Sequence, residues 1–349
     1  MIAVCVAWTV ALASASGAQP TPDSLLAGLK SEDSAARRAA QDEAVKLGAA
    51  AIAPLCVLIA ENTPMGISTA EKTLSAIVAR ATAPGSDAVR KAVSAALAEQ
   101  VKAGSSARAR STAARVLGLV AGREAVSALA LALAEPATFE AAREALMRIP
   151  GREATAALAA ALKTPAAERR PALLLALGAR RDATALKPLL GYARGTDGAA
   201  AMAALAALAQ TGEVRAARAV TAIAAKATGP VRSAAVDALL ALADVQRARK
   251  PRAAGPLYRS AFDRGVTDAQ RSAALTALAA VHYPSLLRLL VTALTDQRLS
   301  STASALLSRM PDDQLAAGLH SELKTAKGDA RAALLNLGRE RKLPGLPSR

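Results

Sequence analysis

Aromatic side chains are nearly missing from this chain: two Phe, three Tyr and one Trp in 349 residues. Sheet proteins draw on aromatic and β-branched residues to fill a pleated surface, so this scarcity argues against strands. It also argues against chemistry on an extruded nucleobase, which needs aromatic platforms beside a basic groove. Beyond residue 18 the aromatics are Phe139, Tyr192, Tyr258, Phe262 and Tyr283, and they are scattered. Histidine is as scarce. His282 and His320 each fall near the end of a different predicted helix, with no Cys or carboxylate cluster beside them, and are expected at the surface. That pattern offers no metal site and no acid–base pair. Cysteine occurs twice, as Cys5 and Cys56. Two such residues hold no Cys-based metal cluster, and Cys56 in Pro54-Leu55-Cys56-Val57-Leu58-Ile59 reads as a packed core position. Phosphate-loop, dinucleotide-fingerprint, zinc-type and haem-attachment spacings are absent from the sequence. The carboxylate pairs Glu32-Asp33, Asp42-Glu43 and Asp312-Asp313 are neighbours in sequence, which do not face each other on a helix.

The N-terminus reads as an export signal. Ile2 to Ala13 is an uncharged apolar run, followed by small residues ending Ser16-Gly17-Ala18. The run is too short to span a bilayer and fits an h-region with cleavage after Ala18, although no Lys or Arg precedes it. We therefore expect a signal peptide at 1–18, a periplasmic or secreted chain at 19–349, and Cys56 as its one thiol.

What the sequence has in abundance is Ala, Leu and Val within a 52% apolar composition, the residues of a helical core with small contacts. It is also basic: 44 Lys+Arg against 28 Asp+Glu give a formal charge of +16. Such a balance favours acidic partners, be they nucleic acid, anionic lipid or acidic protein. Arginine and alanine share GC-rich codons, however, so genome composition accounts for the bias equally well.

The chain also repeats itself. Gly122-Arg123-Glu124-Ala125 is echoed by Gly151-Arg152-Glu153-Ala154, and Arg181-Asp182-Ala183 restarts the pattern. The steps 152 − 123 and 181 − 152 are both 29 residues, room for two short helices and two turns. Breaks containing Gly or Pro recur throughout, among them Gly48, Pro84-Gly85, Gly104, Gly178, Gly212, Gly229-Pro230 and Gly255-Pro256. Since Gly closes helices and Pro opens them, these are expected helix boundaries.

The motifs within the units resemble HEAT repeats. First helices carry Pro54-Leu55 and Pro188-Leu189. Second helices open with Pro230-Val231-Arg232-Ser233-Ala234-Ala235, Asp268-Ala269-Gln270-Arg271 or Asp329-Ala330-Arg331, and close with Leu47-Gly48, Leu117-Gly118, Leu177-Gly178 or Leu337-Gly338. The short unit is similar to the bacterial HEAT-like repeat found in phycobilisome bilin lyases. The resemblance covers roughly residues 22–342 and implies an all-α, right-handed α-solenoid (superhelix) of about ten helical hairpins, with second helices on a concave, partner-binding face. It implies little about function.

Two stretches stand out as candidate surfaces. Arg247, Arg249, Lys250, Arg252 and Arg259 cluster where Pro251, Gly255 and Pro256 predict an exposed connection, and are candidates for holding an acidic partner or polyanion. A loop made soluble by its arginines is the plainer reading. Gly198 to Gly212 contains no charged residue, as a partner-facing helix or a merely Ala-rich one would. The sequence thus predicts a non-catalytic scaffold that binds a protein partner through its concave face, with no cofactor and no membrane span. The alternatives are a polyanion binder and a lyase- or chaperone-like helper for a cofactor-bearing protein.

Overall fold

A computed structural model describes residues 21–163, 167–324 and 327–343. The expected leader at 1–18 lies outside the described residues. Those residues form α-helices and 3-10 turns, with no strand among them.

The chain divides into two compact units, 1–121 and 122–349. Among the described residues the first holds three helical hairpins: α1 (Pro22–Leu29) with α2 (Ser34–Leu47), α3 (Ile52–Ala60) with α4 (Pro64–Ala81), and α5 (Asp87–Ala103) with α6 (Ala107–Val120). The second holds seven among the described residues. They begin with α7 (Val126–Ala132) and α8 (Phe139–Arg148), α9 (Arg152–Ala161) and α10 (Arg170–Ala179), and α11 (Leu186–Ala193) and α12 (Gly198–Thr211). Then follow α13 (Ala217–Lys226) with α14 (Gly229–Arg249), α15 (Pro251–Arg264) with α16 (Asp268–Ala280), α17 (Leu286–Leu294) with α18 (Ser300–Ser308), and α19 (Asp312–Leu323) with α20 (Gly328–Glu340). These are HEAT-like hairpins, and the fold is all-α.

Local chemistry sets the boundaries. Pro22, Pro64, Pro171, Pro230 and Pro251 stand in the first positions of their helices, where a missing N–H costs nothing. Asp33, Asp197 and Ser106 cap helix N-termini by accepting backbone amides. Gly48 and Gly212 end α2 and α12 with positive φ of 60° and 65°.

Not every Gly or Pro punctuates. Gly118 and Gly178 lie inside α6 and α10, both buried, two residues or fewer from the helix end. At Gly178 the reason is steric: a Cβ there would sit 2.5 Å from the Ala207 Cα. The second helices α10, α12 and α14 press together in this way, through Gly178, Ala200, Ala204 and Ala207. Gly255-Pro256 likewise breaks nothing. Pro256 is the sixth residue of α15, and the carbonyl it leaves unpaired belongs to exposed Arg252, where water can satisfy it. The expected loop at 247–259 is thus the end of α14, a one-residue joint at Lys250 and the first half of α15.

One helical run, Ser34–Ala60, is long and apolar enough to cross a membrane by composition, but half of its apolar window is packed inside the protein.

Candidate functional site

Many of the arginines are already engaged within the fold, and which remain free decides where a ligand could bind. Arg80, near the end of α4, donates to the carbonyls of Val45 and Lys46 at 2.9 and 3.3 Å, at the end of the preceding second helix. Arg341, just past α20, reaches Ser308 and Met310 at the end of α18 at 2.7 and 2.9 Å, and also binds Asp312. Arg180, at the end of α10, is the most enclosed. It donates to the carbonyls of Leu146, Ile149 and Gly151 and to Thr155 Oγ1. Burial pulls the Arg180 pKa down from its ordinary value while the nearby Asp182 carboxylate opposes the fall. Each of these guanidinium groups places a cation on the orphan carbonyls of a helix C-terminus, where both hydrogen bonding and the helix dipole favour it. Arg169 and Arg271 lie over the rings of Phe139 and Phe262, each 5.3 Å from the centroid.

The five sequence candidates divide accordingly. Arg247 and Arg249 occupy the last turn of α14, Lys250 joins the helices, and Arg252 and Arg259 lie on α15. Arg247 pairs with Asp244 at 3.5 Å and Arg259 with Asp263 at 2.9 Å, each on its own helix. Asp244 also accepts the Tyr258 hydroxyl at 2.6 Å. Burial, then Asp244, pushes the Tyr258 pKa up to about 12. Arg249, Lys250 and Arg252 are exposed and make no ion pair among the described residues. The cluster is therefore three free cations around a helix joint, not five on a loop.

Beside this joint the structure gathers residues that the sequence reading kept apart. Arg252, Gly255 and Pro256 of α15 share a cavity of about 610 Å³ with His282, Tyr283 and Pro284 of the α16–α17 turn. The sequence placed His282 at a helix end, which is correct, but gave no sign of what it faces across 30 residues.

The uncharged helix α12 is explained by packing. Ala200, Ala201, Ala204, Leu205, Ala207 and Leu208 are buried, with α11 on one side and α10 and α14 on others. What remains open on α12 includes Ala199, Met202, Ala203, Ala206 and Ala209, a face of mostly small, uncharged side chains.

An opening of about 270 Å³ lies beside Arg180 at the α8–α9 turn, and two others lie between first helices. Between α11 and α13 is a groove of about 440 Å³ with Ala219, Ala222, Ile223 and Val231 along it and Arg194 and Lys226 at its rim. A smaller one, about 230 Å³ and lined by Leu133 and five alanines, lies between α7 and α9. Second helices α10, α12 and α14 pack closely, whereas first helices α11 and α13 stand apart. Among the described residues no group of three or more His, Cys, Asp or Glu could hold a metal ion.

These features define a helical-hairpin repeat protein with inter-repeat grooves. No protein-family model and no curated protein matches the chain. Among solved structures it is similar to the complex of CpcE and CpcF of phycocyanin lyase from Nostoc sp. PCC7120. The two share 22% identity over 84% of this chain and 97% of that one, at a TM-score of 0.29. A likeness that distant carries no argument about residue roles; the fold rests on the helix packing described above.

Proposed function

We propose that this chain is a non-catalytic scaffold that docks a protein partner in the groove between α11 and α13. The observation that carries the proposal is the groove's composition. Its floor is apolar and open, while Arg194 and Lys226 at the rim are exposed and make no ion pair among the described residues. An apolar side chain flanked by carboxylates fits both parts: the floor supplies burial, the rim supplies steering and register. The proposed docking groove lies on the first-helix side, whereas the sequence pointed to the second helices, whose outer faces keep Leu119 and Leu175 exposed.

Ala222→Glu and the pair Arg194→Glu, Lys226→Glu test the reading. A partner captured from the native host by the parent chain, purified and titrated back, is expected to bind the parent and to lose at least tenfold in affinity with either variant. Equal affinity for all three would overturn it. A helper acting on a cofactor-bearing protein would use the same groove, and the absorption spectrum of the purified partner tells the two apart. We further propose export, from the apolar run and small residues before Gln19. Sequencing the N-terminus of the protein expressed from its native start is expected to give Gln19; an intact Met1 on cytosolic protein would sink that idea.

A further inference from the structure

The cavity beside the α14–α15 joint is independent of the docking groove and has a different chemistry. Its walls are stiff. Pro251 and Pro256 come from α15, Pro284 from the α16–α17 turn, and the Tyr283 ring lies against the bare backbone of Gly255. A Cβ on Gly255 would meet Tyr283 Cδ2 at 2.8 Å, so the ring reaches this position only because residue 255 has no side chain.

The turn that carries His282 is equally defined. The His282 amide donates to the Ala279 carbonyl and the Tyr283 amide to the Leu278 carbonyl, both at 3.1 Å, with His282 at φ 51°. That pair of bonds is the standard closure of a helix by a left-handed residue. The imidazole is therefore delivered to the cavity by a hydrogen-bonded helix end instead of a free loop.

Besides Tyr283, two nitrogen-bearing side chains border this space, Arg252 and His282. Neither has a hydrogen-bond or ion-pair partner among the described residues, and no carboxylate lines the cavity. Arg249 and Lys250, likewise unpaired, stand at the joint and raise the local concentration of anions. A volume of about 610 Å³ suits a small molecule.

We propose that this cavity binds a small organic anion: a phosphate or carboxylate group on a flat apolar body. The Arg252 guanidinium grips two anion oxygens through its planar fork, which an ammonium cannot do. The His282 imidazole donates a further hydrogen bond. The Tyr283 ring and the three prolines cover the apolar body, and their stiffness lowers the ordering cost of binding.

Phenyl phosphate titrated into the full chain by calorimetry tests the site, with inorganic phosphate and phenol as partial ligands and circular dichroism to confirm that each variant is folded. The expected result is saturable one-to-one binding of phenyl phosphate, with each partial ligand weaker by tenfold or more. Removing a charge-assisted hydrogen bond is worth roughly ten- to a hundredfold, so Arg252→Ala is expected to lose that much and His282→Ala about tenfold. Gly255→Ala changes no charge but displaces the Tyr283 ring. It is expected to weaken phenyl phosphate while leaving inorganic phosphate unchanged. Arg218→Ala, an exposed arginine on α13, is expected to bind as the parent does. Absence of saturable binding by the parent would overturn the proposal. So would parent-like affinity in Arg252→Ala, or an equal loss in Arg218→Ala, which would mark general attraction to a basic surface.

Discussion

Gly178→Ala is the sharpest test of how the repeats are held together. The added methyl would lie 2.5 Å from the Cα of Ala207, 2.7 Å from its Cβ and 2.9 Å from its carbonyl oxygen. Carbon atoms in comfortable contact are about 3.5–4.0 Å apart, so α12 would have to retreat from α10 by roughly 1 Å along their tightest line. Overpacking of this kind costs about 1–3 kcal/mol, here toward the upper end because two of the three obstructing atoms are backbone. Replacing a helical Gly by Ala recovers about 0.8–1.0 kcal/mol. The net expectation is destabilisation of about 2 kcal/mol, measured by urea unfolding, with hydrogen exchange accelerated in α10 and α12 first. The companion variant Ala207→Gly removes only the methyl, leaving Cα and the carbonyl in place. The double variant is therefore expected to stay destabilised. A Gly178→Ala protein more stable than its parent by about 1 kcal/mol, as at an exposed helical glycine, would refute the close-approach argument. Full rescue by Ala207→Gly would refute it too.

Two further outcomes follow from the polar interior. Arg180→Ala strips the guanidinium from the carbonyls of Leu146, Ile149 and Gly151 and is expected to cost about 2 kcal/mol in urea, since hydrogen bonds to charged groups contribute about 1.5–3 kcal/mol; Arg180→Lys should recover only part, because one ammonium cannot span three acceptors. In ultraviolet titration one tyrosine is expected to ionise at about 12 against an ordinary 10.0, and to do so normally in Asp244→Asn if Asp244 were the main cause; burial is the larger cause, so Tyr258 should still titrate late in that variant. Because the folded chain keeps a proton that the unfolded chain releases in this interval, Tyr258's contribution is whole below pH 10 and is lost as pH rises toward 12.

The hairpins were legible because helix ends are local chemistry. Pro64 and Pro230 could be read as helix openers, and Gly212 as a stop, without knowing any neighbour. Gly178 and Gly255 could not, since each answers to a residue about 30 positions away: Ala207 for one, Tyr283 for the other. Sequence reasoning made Gly255 a break, and so mistook the start of α15 for a loop; Gly178 it placed at the close of a second helix, one residue from the end of α10. The cavity stayed hidden for the same reason. Arg252 and His282 are individually unremarkable, and only the packing of α15 against the α16–α17 turn sets them around one space. The arginine-to-carbonyl bonds did leave a trace that periodicity could have found. Arg80, Arg180 and Arg341 each stand near the end of a second helix, 31 to 35 positions beyond carbonyls that they bind.

Those bonds bear on why the chain is so basic. A salt bridge cancels its own charge, but Arg80 and Arg180 hold neutral oxygens, so each leaves a full positive charge on the books of the molecule. A chain that lengthens by duplicating such a unit gains a cation with every copy, whatever it binds. Part of the +16 is mortar between bricks: the charge of Arg80 and Arg180 belongs to the joints between hairpins and marks no ligand.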